Sequence, residues 1–172
     1  KQKIKFDIDA KVSDLESINI NLKSENIPKF ITTKEDFIVF NLIEKIFESF
    51  DHLYNDYSIS LSDVIITSSN DEFKKSYHII INNFAVHNNH EAAYFANDVV
   101  SKMSKDINKF VDTQVYKCTQ NFRLLGCTKS KEDRIRPKVK AKHLTESLQT
   151  SRYFELKDTI ISYIDDSVLL PK

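Results

Sequence analysis

The chain begins with a short segment in which apolar and polar residues alternate strictly. In residues 3–9, KIKFDID, the apolar Ile4, Phe6 and Ile8 alternate with polar residues. This period of two is typical of a β-strand with one face against a core. Successive side chains of a strand point to opposite faces, so Asp7 and Asp9 are predicted to lie together on the polar face.

Two later segments carry the three- and four-residue spacing of amphipathic helices. The first runs over about 35–55, and either Thr32 with Glu35 or Thr33 with Asp36 offers a typical helix start. The second runs over about 90–106, with Asn88 or Asn89 as its N-cap. The apolar positions that define these two helices are Phe37, Phe40, Ile43, Ile46, Phe47, Phe50 and Tyr54, and then Ala93, Tyr94, Val99, Val100 and Met103.

The remaining structured segments read mainly as strands. Two β-branched runs at 63–67 and 76–81 are separated by polar residues and predict a pair of strands. Two further strands are expected at 111–116 and 122–125, and a last helical or mixed segment at 151–164. Strands interleaved with two helices, without a regular βαβ repeat, predict an α+β fold with an antiparallel or mixed sheet and helices on one face.

The charge is distributed unevenly along a chain whose net charge is zero. Residues 102–142 contain twelve Lys or Arg and four acidic residues, a net charge of +8. Such a segment suggests a polyanionic partner, although a solvated lysine-rich loop at 129–142 would explain the charge equally well. The sequence has no apolar run of about 18–20 residues, which a membrane span needs, so an intracellular protein with no membrane partner is expected.

Two groups of polar residues could carry chemistry. Asp7 and Asp9 on one strand face could hold Mg²⁺ or Mn²⁺, and a pair of such ions suits phosphoryl or nucleotidyl transfer. A strand end that exposes two acids to water is the simpler alternative for this pair alone. Lys74, Ser76 and His78 would also share one strand face, where a cation, a hydroxyl and an imidazole could cradle a triphosphate.

The order of these motifs resembles the archaeo-eukaryotic primase superfamily. The motifs are FDIDA at 6–10, SYHII at 76–80, VDTQVY at 111–116 and NFRL at 121–124. They look most similar to the primase domains of large DNA viruses, in particular the N-terminal part of poxvirus-type primase-helicases, and to the eukaryotic primase-polymerases. They span residues 7–129. The resemblance implies a single primase catalytic domain over 1–172 with a palm like an RNA-recognition motif, which we expect to be part of a longer polypeptide.

The resemblance also implies a role for individual residues. Asp7, Asp9 and Asp112 would be the catalytic carboxylates that bind two Mg²⁺ or Mn²⁺ ions. Nucleotide binding would fall to five residues of the same motifs, which are Lys74, Ser76, His78, Arg123 and Lys129. The basic loop at 129–142 would contact the DNA template, and residues 143–172 would form a C-terminal segment.

The function implied by the resemblance is a DNA-dependent nucleotidyltransferase that synthesises primers from nucleoside triphosphates. A helicase domain or subunit would be its partner, at sites of DNA replication or, for a poxvirus-type protein, in a cytoplasmic virus factory. Two alternatives stay open at this point. Paired carboxylates with a nearby histidine also serve metal-dependent nucleases, and an inactive nucleic-acid-binding domain could retain the same fold.

Overall fold

The computed structural model describes residues 1–117, 122–128, 130–131, 134–135, 137–142, 155–165 and 167–172. Its centre is an antiparallel strand pair, β1 (Gln2–Lys11) and β3 (Lys74–Val86), with β2 (Val64–Ser68) on the other side of β3. The short β6 (Lys140–Ala141) extends the sheet beyond β2, and β7 (Val168–Leu169) pairs in parallel with the end of β3. The α+β fold is therefore confirmed.

The helices pack on one face of this sheet. The long helix α2 (Lys34–Leu53) and α3 (Asn89–Ser101) cover the face that carries Phe6, Ile8 and Ile79. The core between the helices and the sheet contains edge-to-face aromatic pairs, such as Phe50 with Phe95. Because this face is apolar and buried, the alternating polar residues of β1 and β3 lie on the opposite face.

The predicted helix starts are confirmed by their caps. The Thr33 hydroxyl accepts a hydrogen bond from the backbone N–H of Asp36, and the Asn88 side chain accepts from the first turn of α3. The second helix is shorter than predicted, because α3 ends at Ser101 and a separate turn of helix, α4 (Lys105–Asn108), follows. A short helix α1 (Val12–Ser17), for which the sequence analysis gives no prediction, follows β1 directly.

Two predicted strands are wrong. In the segment 111–116 only Val111 makes a β-bridge, to Ile8, and Thr113–Tyr116 forms a 3₁₀ turn because the Asp112 side chain accepts from the N–H of Gln114. The segment 122–125 forms no strand in its described residues, since the chain turns at Leu125 and Gly126. Gly126 has φ +81, a conformation that glycine adopts without strain.

The basic segment is more structured than a loop in its described residues. It contains β4 (Ser130–Lys131), β5 (Arg134–Ile135) and β6. Within the predicted segment 151–164, residues Leu156–Thr159 form a 3₁₀ turn. In the described ranges, no helix has both the length and the apolar character needed to cross a membrane.

Candidate functional site

The face of the sheet opposite the helices carries rows of polar side chains that are fixed by strand register. Asp7 lies directly opposite His78, and Asp9 lies opposite Ser76. Thr67 of β2 flanks His78 on its other side. The alternation seen in the sequence is therefore real, and the residues of the first two motifs come together on neighbouring strands.

Residues 110–112 run along the edge of β1 that faces away from β3, and they bring the third acid, Asp112, to the same place. The N–H of Asp9 donates to the carbonyl of Phe110 at 2.9 Å, and the N–H of Asp112 donates to the carbonyl of Asp7 at 2.8 Å. Further along, the Tyr116 hydroxyl donates to the carbonyl of Lys5. Asp112 is thus held beside Asp7, although more than 100 residues separate them in the sequence.

The pKa of Asp7 reflects both its burial and its acidic neighbours. This pKa is raised to about 7. Burial is the largest cause, and repulsion by the carboxylates of Asp9 and Asp112 adds to it, whereas Lys74 and Arg123 act in the opposite direction. Its Oδ1 atom is buried and has no hydrogen-bond partner in the described part of the chain. A cation placed among these carboxylates would relieve this repulsion.

The three acids are chemically suited to a hard divalent cation. Carboxylate oxygens are the ligands that Mg²⁺ and Mn²⁺ prefer. Among the described residues, however, no group of three or more His, Cys, Asp or Glu side chains has the spacing of a preformed metal site. The Lys74 ammonium lies 2.5 Å from Asp9 Oδ2, and Asp112 Oδ1 accepts from Gln114. Both carboxylates are therefore engaged within the protein itself.

The residues predicted to bind phosphate surround Ser76. Arg123 donates to the Ser69 hydroxyl at 2.7 Å and reaches the Ser76 hydroxyl at 3.5 Å. Lys74 is on the same face of β3, two residues before Ser76. These groups provide two cations and two hydroxyls within one small area. Lys129, the fifth predicted nucleotide-binding residue, lies outside the described residues.

His78 is buried and neutral. Burial and the nearby Arg123 guanidinium lower the pKa of His78 to about 4. Its Nε2 is 3.7 Å from Asp7 Oδ1, too long for a hydrogen bond, and its Nδ1 has no hydrogen-bond partner within the residues described. A hydrogen bond to the Arg123 backbone acts in the opposite direction on the pKa of His78 and does not offset the effects of burial and of the guanidinium. A neutral imidazole carries one N–H.

Two residues of the site were not predicted from the sequence. The Phe122 ring stacks on His78 with 4.0 Å between ring centroids, and the Lys5 ammonium lies 4.8 Å from the centroid of the same ring. Burial lowers the pKa of Lys5 to about 8, which the nearby Asp7 partly opposes. The position of Lys5, two residues before Asp7, was a possible signal, whereas the Phe122 contact depends on how a distant segment crosses the sheet.

Comparison with known proteins finds relatives in African swine fever virus. The chain is 32% identical over 174 residues to a protein of African swine fever virus (isolate Pig/Kenya/KEN-50/1950) named "Putative helicase/primase complex protein". The protein of the same name from strain Badajoz 1971 Vero-adapted is 32% identical over 178 residues. Both alignments cover 99% of this chain, and 16% and 17% of the viral proteins.

A shorter alignment gives a higher identity. The protein of the same name from isolate Tick/Malawi/Lil 20-1/1983 is 37% identical over 113 residues, which is 66% of this chain and 10% of that relative. No family model matches the chain. The chain spans about one sixth of the length of the first two relatives. Over almost its whole length, it is therefore similar to one segment of these larger viral proteins.

Proposed function

We propose that the chain is the nucleotidyl-transfer domain of a primase of the archaeo-eukaryotic superfamily, in its viral branch. The observation that carries this proposal is the convergence of Asp7, Asp9 and Asp112 beside the polar group around Ser76 and His78. A polyphosphate needs cations and hydrogen-bond donors, and a transferred phosphoryl group needs carboxylate-bound metal ions next to them. The names of the viral relatives support the same function.

In this proposal, Asp7, Asp9 and Asp112 would hold two Mg²⁺ or Mn²⁺ ions. Such ions, when bound, lower the pKa of an attacking 3′-hydroxyl and stabilise the charge on the leaving pyrophosphate. Binding of cations to the acids would free Lys74 from its ion pair with Asp9. The Lys74 ammonium could then contact the nucleotide.

The chain's own residues would hold the nucleotide. Arg123 and Lys74 would neutralise the triphosphate, the Ser76 hydroxyl would donate to it, and His78 would donate through its ring N–H. The guanidinium of Arg123 already lies between Ser69 and Ser76, so a phosphate oxygen arriving there would meet preformed donors. Preformed donors need little rearrangement when charge develops on the phosphates.

The biological setting belongs to the same proposal. The relatives are named for a helicase/primase complex, which supports a helicase as partner, within a longer polypeptide or as a separate subunit. The basic residues at 129–142 would bind the DNA template, and the protein would act intracellularly where viral DNA is replicated, in the cytoplasmic virus factory. Nucleoside triphosphates would be the substrates.

The products of the reaction with DNA test the function. The chain, a DNA template and nucleoside triphosphates should give new strands that lengthen with time, in the presence of Mg²⁺ or Mn²⁺. A metal-dependent nuclease would instead shorten the DNA, whether or not nucleotides are present. Binding of DNA without either reaction would identify an inactive nucleic-acid-binding domain.

Replacement of Arg123 is expected to affect nucleotide binding more than the chemical step. A contact to the triphosphate that exists in both ground and transition states raises KM when it is lost and changes kcat little. Because hydrogen bonds to charged groups contribute about 1.5–3 kcal/mol, Arg123→Ala should raise the nucleotide KM about 10-fold or more. Steady-state kinetics with varied nucleotide concentration measure this effect.

The matched control is Lys45→Ala. Lys45 pairs with Glu48 on α2, and this helix lies on the face of the sheet opposite the candidate site. The KM of this variant should equal that of the unmodified chain. An unchanged KM in Arg123→Ala would remove Arg123 from the nucleotide site.

A further inference from the structure

Two lysines on the same face of β1 are both buried, and they differ in their partners. Lys3 is 2% exposed, and its Nζ donates to Asn82 Oδ1 at 2.6 Å and to the carbonyl of Asp158 at 3.1 Å. Lys5 is 1% exposed, and in the described part of the chain its Nζ lies 4.8 Å from the centroid of the Phe122 ring. A buried ammonium is costly unless an acceptor or an anion compensates it.

Within the described structure, the Lys5 ammonium lies over an aromatic ring, and the carboxyl of Asp7 is close enough to raise the pKa of Lys5 against the effect of burial. The Phe122 ring contacts the Lys5 ammonium and also stacks against the imidazole of His78. A cation over a ring gains some electrostatic energy, but less than a hydrogen-bonded anion provides. The Lys5 ammonium is therefore packed against an aromatic ring, on the same strand face as Asp7 and Asp9.

The register of β1 and β3 places Lys5 on a defined side of the three acids. Lys5 is opposite Ile80, Asp7 is opposite His78, and Asp9 is opposite Ser76. Two residues along a strand span about 7 Å. The Lys5 backbone is therefore about 7 Å from that of Asp7, in the direction away from Ser76 and Lys74.

If the chain carries out the proposed nucleotidyl transfer, the geometry of that reaction determines which group approaches the acids from the side of Lys5. In an in-line displacement, the attacking and the leaving oxygen lie on opposite sides of the reacting phosphorus. With the triphosphate held around Ser76, the leaving pyrophosphate is on that side of the acids. The attacking strand must then approach from the side of Lys5.

We propose that Lys5 binds a backbone phosphate next to the 3′ end of the attacking strand, and that Phe122 covers Lys5 until that strand arrives. The ligand is thus a phosphodiester of a nucleic acid and not the triphosphate of the incoming nucleotide. Lys5 is an additional binding residue, separate from the five that the motifs indicated for the nucleotide.

Lys5→Met tests this role because methionine keeps the buried aliphatic stem and removes the charge. Loss of one charged hydrogen bond should weaken binding of a primer–template duplex about 10-fold or more. The salt dependence of binding should also become shallower, by about 0.9 in the slope of log affinity against log salt, while the nucleotide KM stays unchanged. Lys5→Arg should keep the slope of the unmodified chain.

The matched control is Lys3→Met, which removes a buried ammonium from the same strand face. Its hydrogen bonds to Asn82 and Asp158 are lost, so it should be less stable to heat, but its salt slope should not change. A Lys5→Met chain with the duplex affinity and salt slope of the unmodified protein would overturn the proposal. Elongation by the unmodified chain in that same experiment would leave the proposed function standing. A chain that binds the duplex but incorporates no nucleotide would contradict the proposed function instead.

A second measurement does not depend on the folding of Lys5→Met. The chain contains no tryptophan, so Phe122→Trp introduces a single tryptophan at this position, whose emission can be excited selectively. Its emission should change in a saturable way when the duplex is added. An emission that does not respond to the duplex, or that responds to pyrophosphate alone, would overturn the proposal.

Discussion

Replacing Asp112 by Asn is expected to reduce metal-dependent primer synthesis by at least about 100-fold, the scale of losing one preorganised electrostatic contact. The substitution removes one negative charge from the three carboxylates and keeps an oxygen atom at the same position. That oxygen can still accept from the N–H of Gln114, so the 3₁₀ turn that holds the residue should persist. Asp9→Asn should cause a loss of the same order.

Asp106→Asn is the matched control for this experiment, because Asp106 is an exposed acid in the short helix α4. Its rate of primer synthesis should be that of the unmodified chain. Rates should be measured at saturating nucleotide and template, so that a change in binding does not hide the effect on chemistry. Near-normal synthesis by Asp9→Asn and Asp112→Asn would contradict the assignment of these acids.

Asp7→Asn should make the protein more stable at pH 8 while abolishing primer synthesis. The pKa of Asp7 rises from 3.8 to about 7 on folding, so the folded state holds a proton that the unfolded chain releases. The stability that this proton gives is complete below pH 3.8 and is lost as the pH rises towards and through 7. Above pH 7 the folded protein carries the full cost of a buried, repelled carboxylate.

The shift of about three pKa units corresponds to roughly 4 kcal/mol, which is an upper limit for the gain from Asp7→Asn at pH 8. Denaturant unfolding of both proteins at pH 5 and pH 8 measures it, and the advantage of the variant should be larger at pH 8. Asp51→Asn, an exposed acid on α2, should show no such difference. A variant that is less stable than the unmodified chain at pH 8 would contradict this electrostatic account.

Mg²⁺ should counteract the same repulsion. A ligand that binds only the folded state stabilises it in proportion to the logarithm of its concentration. Millimolar Mg²⁺ at pH 8 should therefore raise the melting temperature of the unmodified chain more than that of Asp7→Asn. This difference links the stability of the acid cluster to its proposed function.

Local patterns in the sequence predicted the parts of the fold that local physics controls. The alternation around Phe6 and Ile8 survives as β1, and the caps at Thr33 and Asn88 begin their helices as expected. The strand expected at 111–116 fails because the Asp112 side chain binds its own downstream backbone, and the segment then winds into a 3₁₀ turn. An alternating pattern alone does not reveal this competition.

The same difference between local patterns and long-range contacts determines which parts of the site could be predicted. Strand alternation was sufficient to predict that Asp7 and Asp9 share a face, and that Ser76 and His78 share one. The proximity of Asp112 to Asp7 depends on a segment that pairs with the free edge of β1, and it was expected only from the family resemblance. The contacts of Phe122 with Lys5 and His78 depend on a chain crossing that no local pattern encodes.

The proposed function requires that Asp7, Asp9 and Asp112 together bind a pair of divalent cations. A crystal structure of the chain with Mn²⁺ and a non-hydrolysable nucleoside triphosphate tests it most directly, because Mn²⁺ can be located by its anomalous scattering. We expect two Mn²⁺ ions bound by these three carboxylates, with the triphosphate contacting Ser76, His78 and Arg123. A structure with the nucleotide bound elsewhere, or with no Mn²⁺ at the three aspartates, would contradict the claim.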